Sequence, residues 1–396
     1  MTQSPISFFA TLQPQPADPL LSLIKLFRED GRAGKIDLGV GVYRNDKGET
    51  PVFRAVKAAE RKLVETQATK AYLGADGNVA YLDRLRALLF AQPAPSDLVG
   101  LQTPGGTGAI RLGMEIANAA RPRTRIWISD PSWPAHIPLA RIAGLEPATF
   151  RYLDPATGLV AFDEVMDLLR NRAEPGDVIL LQGCCHNPTG ADLTPAQWTE
   201  AAAAMRERGL IPFVDFAYHG LGTGIEEDLA GVRIIADLPQ YFLAYSCSKN
   251  FGLYRERVGA LFVRTGSTGS NLAVMSNLAL RSRLLWSMPP DHGAAIVEAI
   301  LSDAGLTGQW QAELAEMRAR IRGVRALFGK VPGLAVLAGQ QGMFAQLALQ
   351  PEQVQTLRTE QAIYMAESGR INLAGISLEE AARFIAALGD GQAATS

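Results

Sequence analysis

The stretch AYSCSKNFGLYRERVG, residues 244–259, carries a lysine, Lys249, just past an apolar run that reads as a buried strand, with Arg257 a short way downstream. Lysines ordinarily occupy solvated faces. A lysine held in apolar surroundings loses its proton more easily and becomes a nucleophile for carbonyl carbons. The plainer reading, a loop lysine pointing at solvent, is weakened by the apolar flank and by Arg257.

Outward from this stretch, strand and helix alternate from about residue 100 to 266. RIWIS runs into DPSW, EPATFRYL follows, DVILLQG runs into CCHNPTG, and LIPFVDF and QYFLAYS come next. These are continuous apolar runs, the pattern of strands buried on both faces, which predicts an α/β fold with a mostly parallel sheet between helices. LTPAQWTEAAAAMRERG predicts a helix with Thr194 as N-cap, Pro195 at the first position, Gln197 as capping-box partner and Gly209 as stop. Near the N-terminus, Asp18 and Pro19 predict the start of a helix reaching about Gly31. From about Leu306 the chain turns helix-rich with a few short strands, which predicts a smaller layer joined by the N-terminal helix. Polar residues gather just after the strands: Trp133, Asn187, Asp215 with Tyr218, and Ser246 to Lys249. Ligands of open α/β sheets bind at carboxyl ends of strands, so these residues are expected to face one crevice.

The bulk numbers exclude several classes. A formal net charge of -2 gives no reason to expect nucleic acid, and the one basic run, RPRTR at Arg121 to Arg125, reads as a helix-to-strand connection. No apolar run reaches the roughly 18 residues of a membrane helix. The first residues have no basic region before their apolar residues and no convincing cleavage site, so no signal peptide is expected. Three cysteines, Cys184, Cys185 and Cys247, make a poor disulfide framework, so free thiols and a cytoplasmic setting are expected.

TPGGTGAIRLG, Thr103 to Gly113, places glycines before a helix, a combination whose free N–H groups suit a phosphate, although a plain glycine turn has the same appearance. Arg111 occupies the third glycine's place of a dinucleotide fingerprint, and the P-loop pattern is absent. Asp215, ending PFVD, lacks the companions of a metal ligand: there is no HExxH, no CxxC, and only four histidines. Its remaining use is to hold a protonated ring nitrogen. Ser246 to Lys249 also fits Ser-x-x-Lys, but the Ser-Asp-Asn and Lys-Thr-Gly companions are missing. A phosphate site, a carbonyl-reactive lysine and a carboxylate for a ring nitrogen together describe pyridoxal phosphate, with Trp133 stacked on the ring and Arg257 paired with the phosphate.

The chain resembles the aspartate and aromatic aminotransferase family, fold type I of the pyridoxal-phosphate enzymes. The motifs are KAYLGADG, TPGGTGAIR, DPSWPAH, CCHNPTG, DFAYHG, SCSKNFGLYRERVG, WSMPPDHGA, GMFAQ and SGRINLAG, in order along nearly the whole chain. The resemblance implies that Lys249 bonds the cofactor, that Ser246, Arg257, Gly106 and Thr107 bind its phosphate, and that His136 backs Asp215. Asn187 and Tyr218 would meet the ring's phenolic oxygen. Tyr72 would reach the phosphate of a neighbouring subunit in a homodimer. Arg370 would grip the substrate α-carboxylate through its guanidinium fork, with Phe344 and Gly41 nearby. Arg283 would cross the dimer to pair with a side-chain carboxylate of aspartate, glutamate or 2-oxoglutarate. It further implies an arm and helix over 1–44 that join a small domain over 313–396, and a large cofactor-binding domain over 45–312.

The implied reaction moves an amino group from an amino acid to 2-oxoglutarate in two half-reactions. Met288 stands where aspartate-specific relatives resemble one another in having a polar residue, and Gln182 where a histidine is common. A methionine beside the side-chain pocket makes it more adaptable and favours aromatic donors alongside aspartate; packing at a dimer contact explains Met288 equally well. A strictly aspartate-specific enzyme is the alternative. A ligand sensor fused to a DNA-binding domain has too little chain before the core pattern. Decarboxylation or β-elimination at the same cofactor is less firmly excluded by sequence.

Overall fold

The structure is a computed structural model and describes residues 9–10, 12–14, 19–90 and 92–392; Asp18, the expected N-cap, lies outside them. Among the described residues there are eleven strands: β1 (Ile36–Asp37), β2 (Leu98–Pro104), β3 (Arg125–Asp130), β4 (Glu146–Arg151), β5 (Val178–Gln182), β6 (Ile211–Phe216), β7 (Gln240–Ser246), β8 (Val258–Thr265), β9 (Phe344–Gln346), β10 (Ile363–Tyr364) and β11 (Arg370–Asn372). Seven of them form the central sheet in the order β2-β8-β7-β6-β5-β3-β4. The sheet is parallel from β4 through β7, as continuous apolar strands require.

Both faces are buried, and alternate side chains divide between them. Val178 and Leu180 of β5 join one core cluster, with Phe213, Leu261 and Ile110 of the helix Gly105–Ala120. Ile179 and Leu181 join the other, with Val214, Leu243 and Phe262. β4 departs from the expectation of a buried strand: it is an edge strand with only Phe150 fully buried, and it stops at Arg151 rather than at Leu153. β8 returns antiparallel between β7 and β2. The Lys249 stretch connects β7 to β8 without a helix, and a connection lacking a crossover can only bring the chain back antiparallel.

The helix Pro195–Arg208 forms as read, with the Thr194–Gln197 capping box and Gly209 left-handed at φ 64. Residues 121–124 connect the helix ending at Ala120 to β3. The N-terminal helix is Pro19–Glu29, two residues shorter than expected. Its Leu23 and Phe27 pack on Tyr364, while Ile36 pairs in parallel with Ile363. Ile36 and Leu38 share a cluster with Phe328, Ile371 and Phe384. None of the helices among the described residues is long and apolar enough to cross a membrane.

Candidate active site

Register brings the polar strand ends together. Gln182 of β5 lies opposite Asp215 of β6, Asp215 opposite Ala244 of β7, and Ser246 opposite Gly259 of β8. Lys249 follows three residues beyond Ser246, and its Nζ sits 4.9 Å from the centroid of the Tyr218 ring. Desolvation pushes the Lys249 ammonium down to about 8; Asp215 opposes the shift and the Arg257 cation adds to it. The amine is therefore substantially neutral in mildly alkaline water, as a nucleophile or base must be.

Asp215 is buried at the end of β6, and its Oδ2 accepts from His136 Nε2 at 3.0 Å. His136 Nδ1 meets the Ser132 hydroxyl at 2.8 Å, so both ring nitrogens are engaged and the imidazole is held in one orientation. Trp133 stands edge-on to His136, 5.2 Å between centroids at 84°. Across the cleft, Asn187 Nδ2 donates to the Tyr218 hydroxyl at 3.2 Å, while Asn187 Oδ1 is buried without a partner. Burial drives the Tyr218 phenol well above its usual range, so it stays protonated.

The glycine turn forms as an anion cradle. The helix Gly105–Ala120 opens straight from β2 with no side-chain cap, leaving its first N–H groups, those of Gly106 and Thr107 included, without intrahelical acceptors. Gly105 is left-handed at φ +71, and a Cβ there would lie 2.6 Å from the Arg257 guanidinium. A Cβ on Gly106 would lie 2.9 Å from Ser246 Cβ. Arg257 donates to the Ser248 hydroxyl and the Tyr254 carbonyl, and makes no ion pair among the described residues. Helix start, hydroxyl and guanidinium thus converge with no carboxylate to neutralise them.

Arg370, at the start of β11, donates to the Gly39 carbonyl at 2.7 Å and lies 4.8 Å from the Phe344 ring. It too has no carboxylate partner among the described residues, and desolvation lowers its pKa. Phe344 packs edge-on to Tyr218 at 6.0 Å and comes within 3.1 Å of where a Gly41 Cβ would stand. Arg370, Phe344, Gly41 and Tyr218 are therefore one continuous wall.

Two expected residues are not brought to this cleft within one chain. Tyr72 is 91% exposed, and Arg283 is exposed in the last turn of the helix Asn271–Trp286. The loop that carries Tyr72 is nevertheless tied to the turn just after the Arg283 helix, because Leu73 N–H donates to Met288 Sδ at 3.1 Å.

Other supporting residues carried no motif signal. Arg325, fully buried, donates to the carbonyls of Leu337, Gln341, Gly342 and Phe344 and so fixes the segment leading into β9. Asp192, whose pKa burial pushes up to about 6, accepts from the N–H groups of Cys185 and His186. Gln182 stood out only as a departure from the common histidine. Cys184, Cys185 and Asp228 place potential ligand atoms within 4.8 Å of one another. The Asp228 carboxylate, however, is engaged by the N–H groups of Gly220, Gly222, Thr223 and Gly224, and burial holds both thiols protonated.

A parallel sheet that presents a buried amine, a braced carboxylate and an anion cradle at its carboxyl edge defines a lysine-centred α/β enzyme built for an anionic ring compound. Residues 33–388 match the family described as aminotransferase class I and II, and the chain belongs to that family. It is 50% identical over 381 residues to the tyrosine aminotransferase of Rhizobium meliloti (strain 1021), covering 94% of this chain and 97% of that one. It is 41% identical to the aspartate aminotransferase of Escherichia coli (strain K12), covering 93% and 96%. The aromatic-amino-acid aminotransferase from Burkholderia pseudomallei, solved covalently bound to pyridoxal phosphate, superposes with a TM-score of 0.92 at 39% identity, over 96% of this chain and 98% of that one.

Proposed function

We propose that the protein is a pyridoxal-phosphate aminotransferase that takes the amino group from aromatic amino acids and from aspartate and passes it to 2-oxoglutarate. The single observation that carries this reading is the desolvated Lys249 amine, set over the Tyr218 ring, lowered to about 8, and within electrostatic reach of the Asp215 carboxylate and the Arg257 cation. Relatives named for both tyrosine and aspartate support the dual donor range.

The residues fit the cofactor. At Gly105 and Gly106 a Cβ would collide with Arg257 and Ser246, so glycine lets the backbone approach them closely, and the uncapped helix start with Arg257 suits a phosphate. The Asn187 Nδ2 group, which gives one N–H to the protonated Tyr218 and carries a second, suits a ring oxygen. Asp215, braced by His136, suits a protonated ring nitrogen.

When bound, pyridoxal phosphate supplies an electron-poor ring that accepts the electron pair left as the substrate Cα–H bond breaks. Lys249 Nζ would hold the cofactor aldehyde, and its neutral amine, once free, would be the base that takes the substrate Cα proton. Asp215 holds the ring-nitrogen proton in place. Trp133 would lie against the ring, and Arg370 would receive the α-carboxylate on its fork. Tyr72 and Arg283, exposed in one chain, are read as contributions to the neighbouring cleft of a homodimer, Arg283 meeting the second carboxylate of aspartate or 2-oxoglutarate. Residues 45–312 are read as a large cofactor-binding unit, and 1–44 with 313–396 as a smaller one, a division supported by the separate core cluster that joins Ile36 and Leu38 to Phe328 and Phe384. Three free cysteines agree with a cytoplasmic setting.

The test is kcat/KM for aspartate and for phenylalanine with 2-oxoglutarate, in wild type and Arg283→Ala. Loss of one charge pair is expected to lower the aspartate value by about 100-fold and the phenylalanine value by less than about 5-fold. Equal losses would defeat the placement of Arg283. Failure of both donors in the wild type would defeat the substrate assignment.

A further inference from the structure

β5 ends at Gln182, and there the chain leaves the sheet. The Gln182 side chain continues the pairing that the backbone gives up. Its Nε2 donates to the Asn187 carbonyl at 2.9 Å, and its Oε1 accepts from the Asn187 N–H at 2.8 Å. One planar amide thereby meets both backbone groups of a single residue, as a neighbouring strand does at a hydrogen-bonded pair. Gln182 is 6% exposed and Asn187 3% exposed, so water does not compete for these bonds.

The two residues before Asn187 are held from another side. Asp192 accepts from Cys185 N–H at 2.7 Å and from His186 N–H at 2.8 Å. The N–H groups of three successive residues, 185 to 187, therefore end on buried side-chain oxygens. Gln182 alone also holds the Asn187 carbonyl, and so fixes the peptide planes on both sides of its Cα. With that backbone set, the carboxamide is delivered to the Tyr218 hydroxyl, and the Nδ2 group that donates to it carries a second N–H for a ring oxygen.

We propose that Gln182 is a positioning residue that tunes the proton affinity of the bound cofactor by holding Asn187 against it. The proposal rests on the reading in which Asn187 meets the cofactor's ring oxygen. A hydrogen bond donated to an oxygen favours its anionic form, so a slackened Asn187 leaves the bound chromophore more easily protonated. A merely structural role, closing the end of β5, would change stability and leave that proton affinity alone.

The experiment is a pH titration of the near-visible absorbance of the holoprotein, with no turnover involved. The variants are Gln182→Met, which fills similar volume without hydrogen bonds, Asn187→Ala, and the two combined. Asn187→Ala is expected to raise the chromophore's proton affinity, and Gln182→Met to raise it by about three- to tenfold. The combined variant is expected to titrate like Asn187→Ala alone, because the two residues act as one unit. If Gln182→Met does not fold, Gln182→Asn gives the same readout, since it keeps the amide but is one methylene too short to make both bonds. A wild-type titration for the Gln182 variant beside a shifted Asn187→Ala would overturn the proposal and leave the Asn187 assignment standing. So would additive shifts in the combined variant. An unshifted Asn187→Ala would overturn both.

Discussion

His136 Nε2 meets Asp215 Oδ2 at 3.0 Å, with the histidine wholly buried and its other nitrogen already committed to Ser132. Oδ1 of the same carboxylate makes no hydrogen bond to the described residues. A carboxylate braced on one oxygen and open on the other can hold a proton on a ring nitrogen without moving. Asp215→Asn keeps the shape and removes the charge. It is expected to lower kcat by about 100-fold or more while leaving the melting temperature within a few degrees of wild type. His136→Gln, which touches the brace only, is expected to cost about 10-fold. Steady-state rates on holoproteins checked for cofactor content distinguish these outcomes, and a near-wild-type Asp215→Asn would remove the carboxylate from the chemistry.

The pH dependence of the cofactor-free protein follows from Lys249. Its folded value, about 8, lies below the ordinary 10.5. Between those values the unfolded chain carries a proton that the folded chain has released, so stability rises with pH across that window. The cost of burying the charged ammonium is present below about 8 and is relieved above it. Thermal melts of the apoprotein at pH 7.5 to 10 are expected to show an upward contribution that Lys249→Met abolishes. The rate at which the apoprotein captures pyridoxal phosphate is expected to rise with pH through about 8, and a flat profile would place the amine in bulk water.

Gly105 tests the anion cradle. Its left-handed backbone and the 2.6 Å approach of a Cβ to the Arg257 guanidinium leave no room for a side chain. Gly105→Ala is expected to weaken pyridoxal-phosphate binding by about 10-fold or more. Affinity for pyridoxal, which lacks the phosphate, should change far less. Equilibrium dialysis of the apoprotein with each vitamer measures the difference, and equal losses would mean that the turn serves folding alone.

The site residues legible in sequence are those whose role is written in local pattern. Lys249, Asp215 and Asn187 each follow an apolar strand, and a parallel sheet gathers such ends on one edge. The glycine turn was visible as a turn, and its direction toward Arg257 came from the pairing of β2 with β8. The antiparallel return of β8 is not written in the apolar runs themselves, although the absence of a helix between QYFLAYS and GALFVRT carries that information. Gln182 and Arg325 were illegible as supports because their partners are carbonyls and N–H groups, which every residue possesses and no motif records. Tyr72 and Arg283 look like surface residues in one chain, and only the family resemblance marks them.

The central claim is that the Lys249 Nζ is the atom that bonds the cofactor. Its most direct measurement is borohydride reduction of the purified holoprotein, followed by proteolysis and mass spectrometry. The expected result is a single peptide, containing Ser246 to Phe251, heavier by one reduced pyridoxal-phosphate group on Lys249, and its complete absence from Lys249→Ala. Label on a different lysine, or a Lys249→Ala protein that still carries the group covalently, would contradict the assignment.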